Sequence, residues 1–240
     1  MTPLKALLTF VAALAFALAP VFLSPGFDGF DPQRYPVPQV NPPIQPAGYA
    51  FAIWGPIYLW LLLMAGVGLF SRTRDGRWDQ TRLPLIVSLG VGATWLSVAK
   101  VSPAWATILI WVMLIAALDA LFRTPRKDRW ALQAPIAIYA GWLSAASFVS
   151  LALLGAGYGV GTDMVGWAWI GLIAATIFAS FIQLRLRRAP EYGAAVVWAF
   201  VAVAVQNASA NTPIAIGALA AASWIATLVY STARNRQMVY

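Results

Sequence analysis

Eight apolar stretches, each near the length a helix needs to cross a bilayer, run through the chain with only short polar breaks between them. They occupy residues 1–23, 48–70, 83–99, 104–122, 130–154, 165–184, 191–206 and 214–231. Lipid offers no hydrogen-bond partners, so each stretch must satisfy its own backbone, and the helix is the open-ended form that does so. The seventh is short for a span of about 20 residues. The chain is 61% hydrophobic and 10% charged, whereas soluble domains run near 45–50% and 25%. These features predict an all-α membrane protein of eight transmembrane helices.

The basic residues set the expected orientation. With the N-terminus inside, fourteen of the sixteen fall in alternate segments, and only Arg34 and Lys100 fall on the other side. Such a bias places arginine-rich loops and both termini in the cytoplasm, as in a bacterial inner membrane. The net charge of +8 then reads as a topology signal facing anionic lipid heads, and nucleic acid is not an expected partner. Residues 1–23 carry one Lys5 before the apolar run. Ala17-Leu18-Ala19 matches a signal-peptidase pattern, but Pro20 follows directly, so a retained first helix is the favoured reading.

Cys and His are both absent. That removes disulfides, thiol chemistry, Cys/His metal sites, His or Cys haem ligation and His general-base catalysis. No nucleophile–base pair is recognisable, so the chain is not read as an enzyme, and no metal or cofactor is required. Asp119 lies four residues from Arg123, the spacing of a helical ion pair. It has no second carboxylate to form a proton relay with.

Residues 45–63 carry the densest information. A proline-rich loop ends there and a long apolar helix begins, with Tyr49, Phe51, Trp54 and Tyr58 close together. Phe51, Trp54 and Tyr58, three and four apart, share one helical face. That stripe has two readings: interfacial anchoring, or the wall of a pocket between helices. The loop before it, residues 24–46, holds Pro25, Pro32, Pro36, Pro38, Pro42, Pro43 and Pro46. It is expected to be extended and partly polyproline, serving either as a linker or as a stiff lid carrying Phe27 and Tyr35. Among the twelve tryptophans, Trp78, Trp130, Trp105 and Trp167 fall at belt positions, whereas Trp95 and Trp142 fall nearer mid-helix.

Three stretches resemble the TspO/MBR family, the tryptophan-rich sensory proteins related to translocator protein. They are residues 46–58, PAGYAFAIWGPIY; Thr94-Trp95; and residues 129–148, RWALQAPIAIYAGWLSAASF. The likeness covers about residues 4–154, five helices, with residues 155–240 as a three-helix extension and short cytoplasmic tail. Phe51 and Trp54 stand one residue closer than in small bacterial members, and the Pro-Tyr pair of helix five is broken up. The chain thus looks like a longer branch. The resemblance implies a five-helix membrane bundle that binds tetrapyrroles or similar flat lipophiles beneath the loop between helices one and two. By that likeness the ligand-binding residues are Tyr49, Phe51, Trp54, Tyr58, Trp95, Tyr139 and Trp142, and the guest would be a porphyrin or similar tetrapyrrole.

Three functions remain open at this level: a binding or sensory protein, a transporter of the same ligand, and an assembly subunit of a larger membrane complex. Gly217-x-x-x-Ala221 and Ala218-x-x-x-Ala222 give helix eight a close-packing surface, for internal use or a homodimer. Residues 228–234 fit a proposed cholesterol-contact pattern, read here as a coincidental aromatic-basic helix end.

Overall fold

The computed structural model describes residues 2–23, 29–125 and 127–237, so Pro25, Phe27 and Arg126 lie outside the described residues. Eight helices follow one another: α1 Thr2–Leu23, α2 Trp54–Phe70, α3 Gly76–Val101, α4 Pro103–Arg123, α5 Ala134–Gly157, α6 Met164–Leu186, α7 Pro190–Asn207 and α8 Thr212–Gln237. Each apolar stretch has become one helix. Among the described residues, seven helical segments are long and apolar enough to cross a membrane, and α7 is the helix outside that set. Ten of its residues are buried, including Tyr192, Phe200 and Asn207.

The chain divides into two compact units that interleave in sequence: residues 1–29 with 52–140, and residues 30–51 with 141–240. In the first unit α3 packs on α1 and α4, and α1 also packs on α2. In the second unit α8 packs on α7 and α6. The boundary at 140/141 falls inside α5, whose small residues Ala137, Ala140, Gly141, Ser144 and Ala145 are buried. Small side chains let helix backbones approach closely in lipid, where packing replaces hydrophobic drive. Gly141 shows how closely: a Cβ there would collide with the Tyr192 carbonyl oxygen of α7.

Helix α3 starts seven residues earlier than the sequence pattern predicts. Asp75 caps it, accepting from the Arg77 amide at 2.8 Å. Residues assigned to a basic loop are therefore helical, and Arg82 is buried, 2% exposed. Its guanidinium donates to the carbonyls of Thr2 (3.0 Å), Gly68 (3.2 Å), Arg72 (2.7 Å) and Thr73 (2.9 Å), and to Asp79 (3.2 Å). The Gly68, Arg72 and Thr73 carbonyls belong to the C-terminal end of α2 and the turn after it, where a helix leaves acceptors unsatisfied. Lys5 completes the group by donating to Asp79 at 3.0 Å.

Trp78 is corrected as well: it is 3% exposed and is no belt anchor. Its indole N–H donates to Asp128 at 3.0 Å, and Arg72 donates to the same carboxylate at 3.3 and 3.2 Å. Asp128 reaches both partners from a left-handed backbone conformation, φ 59°, which Asp tolerates better than most residues.

The described part of the proline-rich segment, residues 29–46, is held in place by hydrogen bonds. It is fastened within the second unit. Val37 N–H donates to Gly157 O at 2.8 Å and Ala47 N–H to Ala202 O at 3.1 Å. Asn207 donates to Pro43 O at 2.7 Å, and the Trp198 indole to Ala50 O at 3.0 Å. Tyr35 and Ile44 are buried, Tyr35 against Gly157 and Ile44 against Gly171, two positions where no larger side chain fits unmoved. The stripe on α8 is used internally too: Gly217 receives the Trp169 ring of α6.

The Trp78 hydrogen bond first, and the Arg72 partner next, hold the Asp128 carboxyl below the usual carboxylate range. A depressed native pKa stabilises the fold above the unfolded value of about 4, and that stability drains as pH falls through the folded value. Thermal melting should therefore lose stability with acid below pH of about 4. Asp128→Asn should melt lower at neutral pH and show a flatter acid limb. An acid limb as steep in the variant as in the wild type would contradict the assignment.

Candidate functional site

The aromatics singled out in the sequence fall into two groups, one in each unit. In the first unit, Trp54 opens α2 directly after a 3₁₀ segment, Gly48–Ile53. Tyr58 lies one α-helical turn further on, and the two rings stack at 5.2 Å and 14°. Phe16 of α1 presses edge-on against Trp54 (5.9 Å), Tyr58 (5.0 Å) and Tyr139 (5.5 Å). Tyr139 also tilts toward Trp54 at 6.4 Å. Offset-stacked and edge-to-face pairs are the arrangements that ring quadrupoles favour.

Burial grades this cluster. Tyr139 is fully enclosed, with its hydroxyl 3.0 Å from Ser88 Oγ, which in turn donates to Met113 O at 2.8 Å. Trp54 and Tyr58 are half-buried. The deep end is thus locked by hydrogen bonds to α3 and α4, while the stacked pair keeps part of its surface exposed. Phe16 has its place because Gly92 carries no side chain: a Cβ there would meet the Phe16 ring at 2.6 Å.

In the second unit, Phe51 sits edge-on to Trp142 at 6.0 Å and 83°. Trp142 is 3% exposed. Tyr49 sits edge-on to Trp198 at 5.5 Å and 86°, and both of these rings are substantially exposed. In the same unit Tyr192 of α7 is fully buried, its hydroxyl 3.0 Å from Ser144 Oγ of α5. Phe51 thus belongs to the 3₁₀ turn and its α5 partner. The single helical face expected for Phe51, Trp54 and Tyr58 is kept by Trp54 and Tyr58.

Trp95 has a structural duty. Its indole N–H donates to Ala106 O at 2.8 Å, which ties α3 to α4 near their shared turn. Phe16 and Trp198 escaped the sequence reading, although Phe16 had left a signal. Ala6, Thr9, Ala13, Phe16 and Ala19 recur three and four apart and are all buried, with Phe16 the single large member. Trp198 gave no such signal, because its partners lie about 150 residues upstream. Gln133, wholly buried in the turn leading into α5, has neither amide atom hydrogen-bonded among the described residues.

This geometry is a set of aromatic faces carried on membrane helices. A family model described as TSPO-like protein matches residues 8–231. The chain belongs to the TSPO-like family. No curated protein matches it, and no solved structure does. The family match runs through α8, and with seven apolar spans it makes the chain an integral multi-pass membrane protein. The conspicuous residues of this TSPO-like chain are its tryptophans and tyrosines. Among its described residues no group of three or more His, Cys, Asp or Glu side chains could hold a metal.

Phe16 is the ring on which the first cluster closes. Phe16→Ala should lower thermal stability in detergent by about 3 kcal/mol, and Phe16→Leu by less than about 1.5. Equal melting of wild type and Phe16→Ala would show that the cluster does not depend on it.

Proposed function

We propose that this TSPO-like protein is a membrane receptor for a flat lipophilic ligand of the tetrapyrrole class, held by aromatic stacking. The stacked Trp54–Tyr58 pair carries the reading. Its rings are fixed from behind by Phe16 and Tyr139 yet remain half-exposed. A planar π-system gains most by lying on an indole or phenol face whose rotamer is already set. Tyr49, Phe51 and Trp142 form a separate set of rings on the second unit, and Trp95 supports α3 from its far end. No metal ligand is needed, because a porphyrin can be gripped by its face and edges. We assign no catalytic residue. We place the protein in a bacterial plasma membrane with both termini cytoplasmic, in keeping with the fourteen-to-two division of basic residues.

Tryptophan fluorescence titrated with protoporphyrin IX in mild detergent tests the reading. Quenching should saturate in the wild type. Trp54→Ala should raise the half-saturating concentration by about three- to tenfold, the span that one aromatic pair supplies. Trp54→Phe should retain most of the affinity. Linear, unsaturable quenching, or a wild-type titration in Trp54→Ala, would refute the receptor assignment.

A further inference from the structure

The two units treat their cations differently. In the first, Lys5 and Arg82 pair with Asp79, Arg72 with Asp128 and Arg123 with Asp119. In the second, Arg185, Arg187 and Arg188 lie at the end of α6, and Arg234 lies near the end of α8. Arg185, Arg187 and Arg234 are exposed and form no ion pair among the described residues. Glu191 is the one carboxylate among the described residues at that end. Asp163 caps the opposite end of α6, and Asp31 lies four residues before Tyr35, which packs on Gly157 at the far end of α5. Four cations thus stand against a single carboxylate.

One amide gathers these arginines. Gln183 of α6 is wholly buried. It accepts from the Gly193 N–H of α7 at 3.2 Å and donates to Thr232 Oγ1 of α8 at 3.3 Å. Arg185 stands two residues beyond Gln183, and Arg234 two beyond Thr232, so α6 and α8 present their cations at one height, about 3 Å past the amide. Arg187 and Ala189 are left-handed, φ 46° and 58°, a conformation uncommon outside glycine. With them the chain turns from α6 into α7 in three residues and keeps Arg188 at the same end.

The arginines also terminate two exposed stripes. On α6, Ile177 and Phe181 precede Arg185 at four-residue intervals and share its face, with Leu184 beside it; all three apolar side chains are exposed, Ile177 at 65%. On α8, Trp224, Thr227 and Tyr230 precede Arg234 at intervals of three, three and four, and all are exposed. The stripes border one groove of about 290 Å³, lined by Ile173, Ile177 and Trp224 among others. The Trp224 indole donates to Ser180 Oγ at 3.0 Å, joining the two helices across it. Arg185 is eight residues from Ile177, about 12 Å along the axis, and Arg234 ten from Trp224, about 15 Å. One leaflet of a bilayer's hydrocarbon core is about 15 Å thick. A chain that starts at the arginines and follows the stripes therefore meets the groove near the mid-plane.

We propose that this face of α6 and α8 is a binding site for an anionic phospholipid of the phosphatidylglycerol class. The phosphodiester oxygens accept from the guanidinium groups of Arg185, Arg187 and Arg234, whose paired N–H donors match two oxygens of one phosphate. One acyl chain lies along Leu184, Phe181 and Ile177 and ends in the groove. A zwitterionic head would bring its own cation to a place where cations already outnumber carboxylates, so the excess charge selects a lipid of net negative charge. The site shares no residue with the aromatic clusters and stands apart from the ligand proposal.

Native mass spectrometry of the full chain tests it, after equilibration in mild detergent with equimolar phosphatidylglycerol, phosphatidylethanolamine and phosphatidylcholine. The expected result is one retained lipid per chain, with phosphatidylglycerol favoured over each competitor by about fivefold or more. Arg185→Gln, Arg187→Gln and Arg234→Gln together should abolish that preference, whereas Arg123→Gln, on the first unit, should keep it. Equilibration in about 1 M rather than about 0.1 M ammonium acetate, which shortens the screening length from about 10 to about 3 Å, should weaken it. Millimolar inorganic phosphate should leave the lipid in place. Equal retention of the three lipids would overturn the site, as would a zwitterionic preference or one that salt does not change. Wild-type selectivity in the triple variant, or its loss in Arg123→Gln, would overturn it too. Displacement by inorganic phosphate would mark a free-anion site instead, and a lipid-free dimer would mark the groove as an interface between copies. The wild-type competition and its salt dependence decide the matter even if a variant fails to fold.

Discussion

The first unit depends on a guanidinium taken out of water. Arg82 cannot lose its charge, so its burial is tolerable only when its donors are met. They are met by the carbonyls of Thr2, Gly68, Arg72 and Thr73 and by Asp79. Three of those carbonyls belong to the end of α2 and the turn after it, and one to the start of α1. A single side chain thus fixes where α1 begins, how α2 ends and how α3 sets out. The Asp128 clasp on Trp78 and Arg72 adds the loop before α5 to the same assembly. With the helix ends set, Phe16, Trp54, Tyr58 and Tyr139 meet further along the same helices.

The second unit is held by another means. Its links are the Pro43 and Ala50 carbonyls, captured by Asn207 and Trp198, and the Val37 and Ala47 amides, which donate to the Gly157 and Ala202 carbonyls. Prolines supply many carbonyls and few amides, so such a segment needs donors from elsewhere. α7 provides them, and this accounts for a helix whose sequence is short and only modestly apolar. It is enclosed by protein on most of its surface and need not satisfy the rules of a lipid-facing span.

Helix number and order were legible because apolar length is a local property, and each of the eight runs became a helix. Pairing at Asp119 and Arg123 was legible for the same reason, since four-residue spacing fixes the neighbour. What could not be read depends on distant partners. Trp78 stands beside basic residues and has the look of an interface anchor. It is buried because Asp128, fifty residues later, accepts its N–H. Arg82 counted as a loop cation because nothing near it shows that five acceptors will converge there. Of the expected ligand residues, Trp54, Tyr58 and Tyr139 gather in one cluster and Phe51 with Trp142 in another. The change from 3₁₀ to α geometry between Ile53 and Trp54 divides a stripe that looked continuous.

The fastening of residues 30–51 has a consequence for biosynthesis. Its clamps on Pro43 and Ala50 come from residues 164 and 148 positions later. A ribosome adding roughly 5–20 residues per second needs on the order of ten seconds to deliver them. Over that interval the segment emerges and waits with carbonyls that only water can serve. A nascent chain halted before α7 has neither clamp, so the Pro43 and Ala50 carbonyls must find other donors until that helix is made.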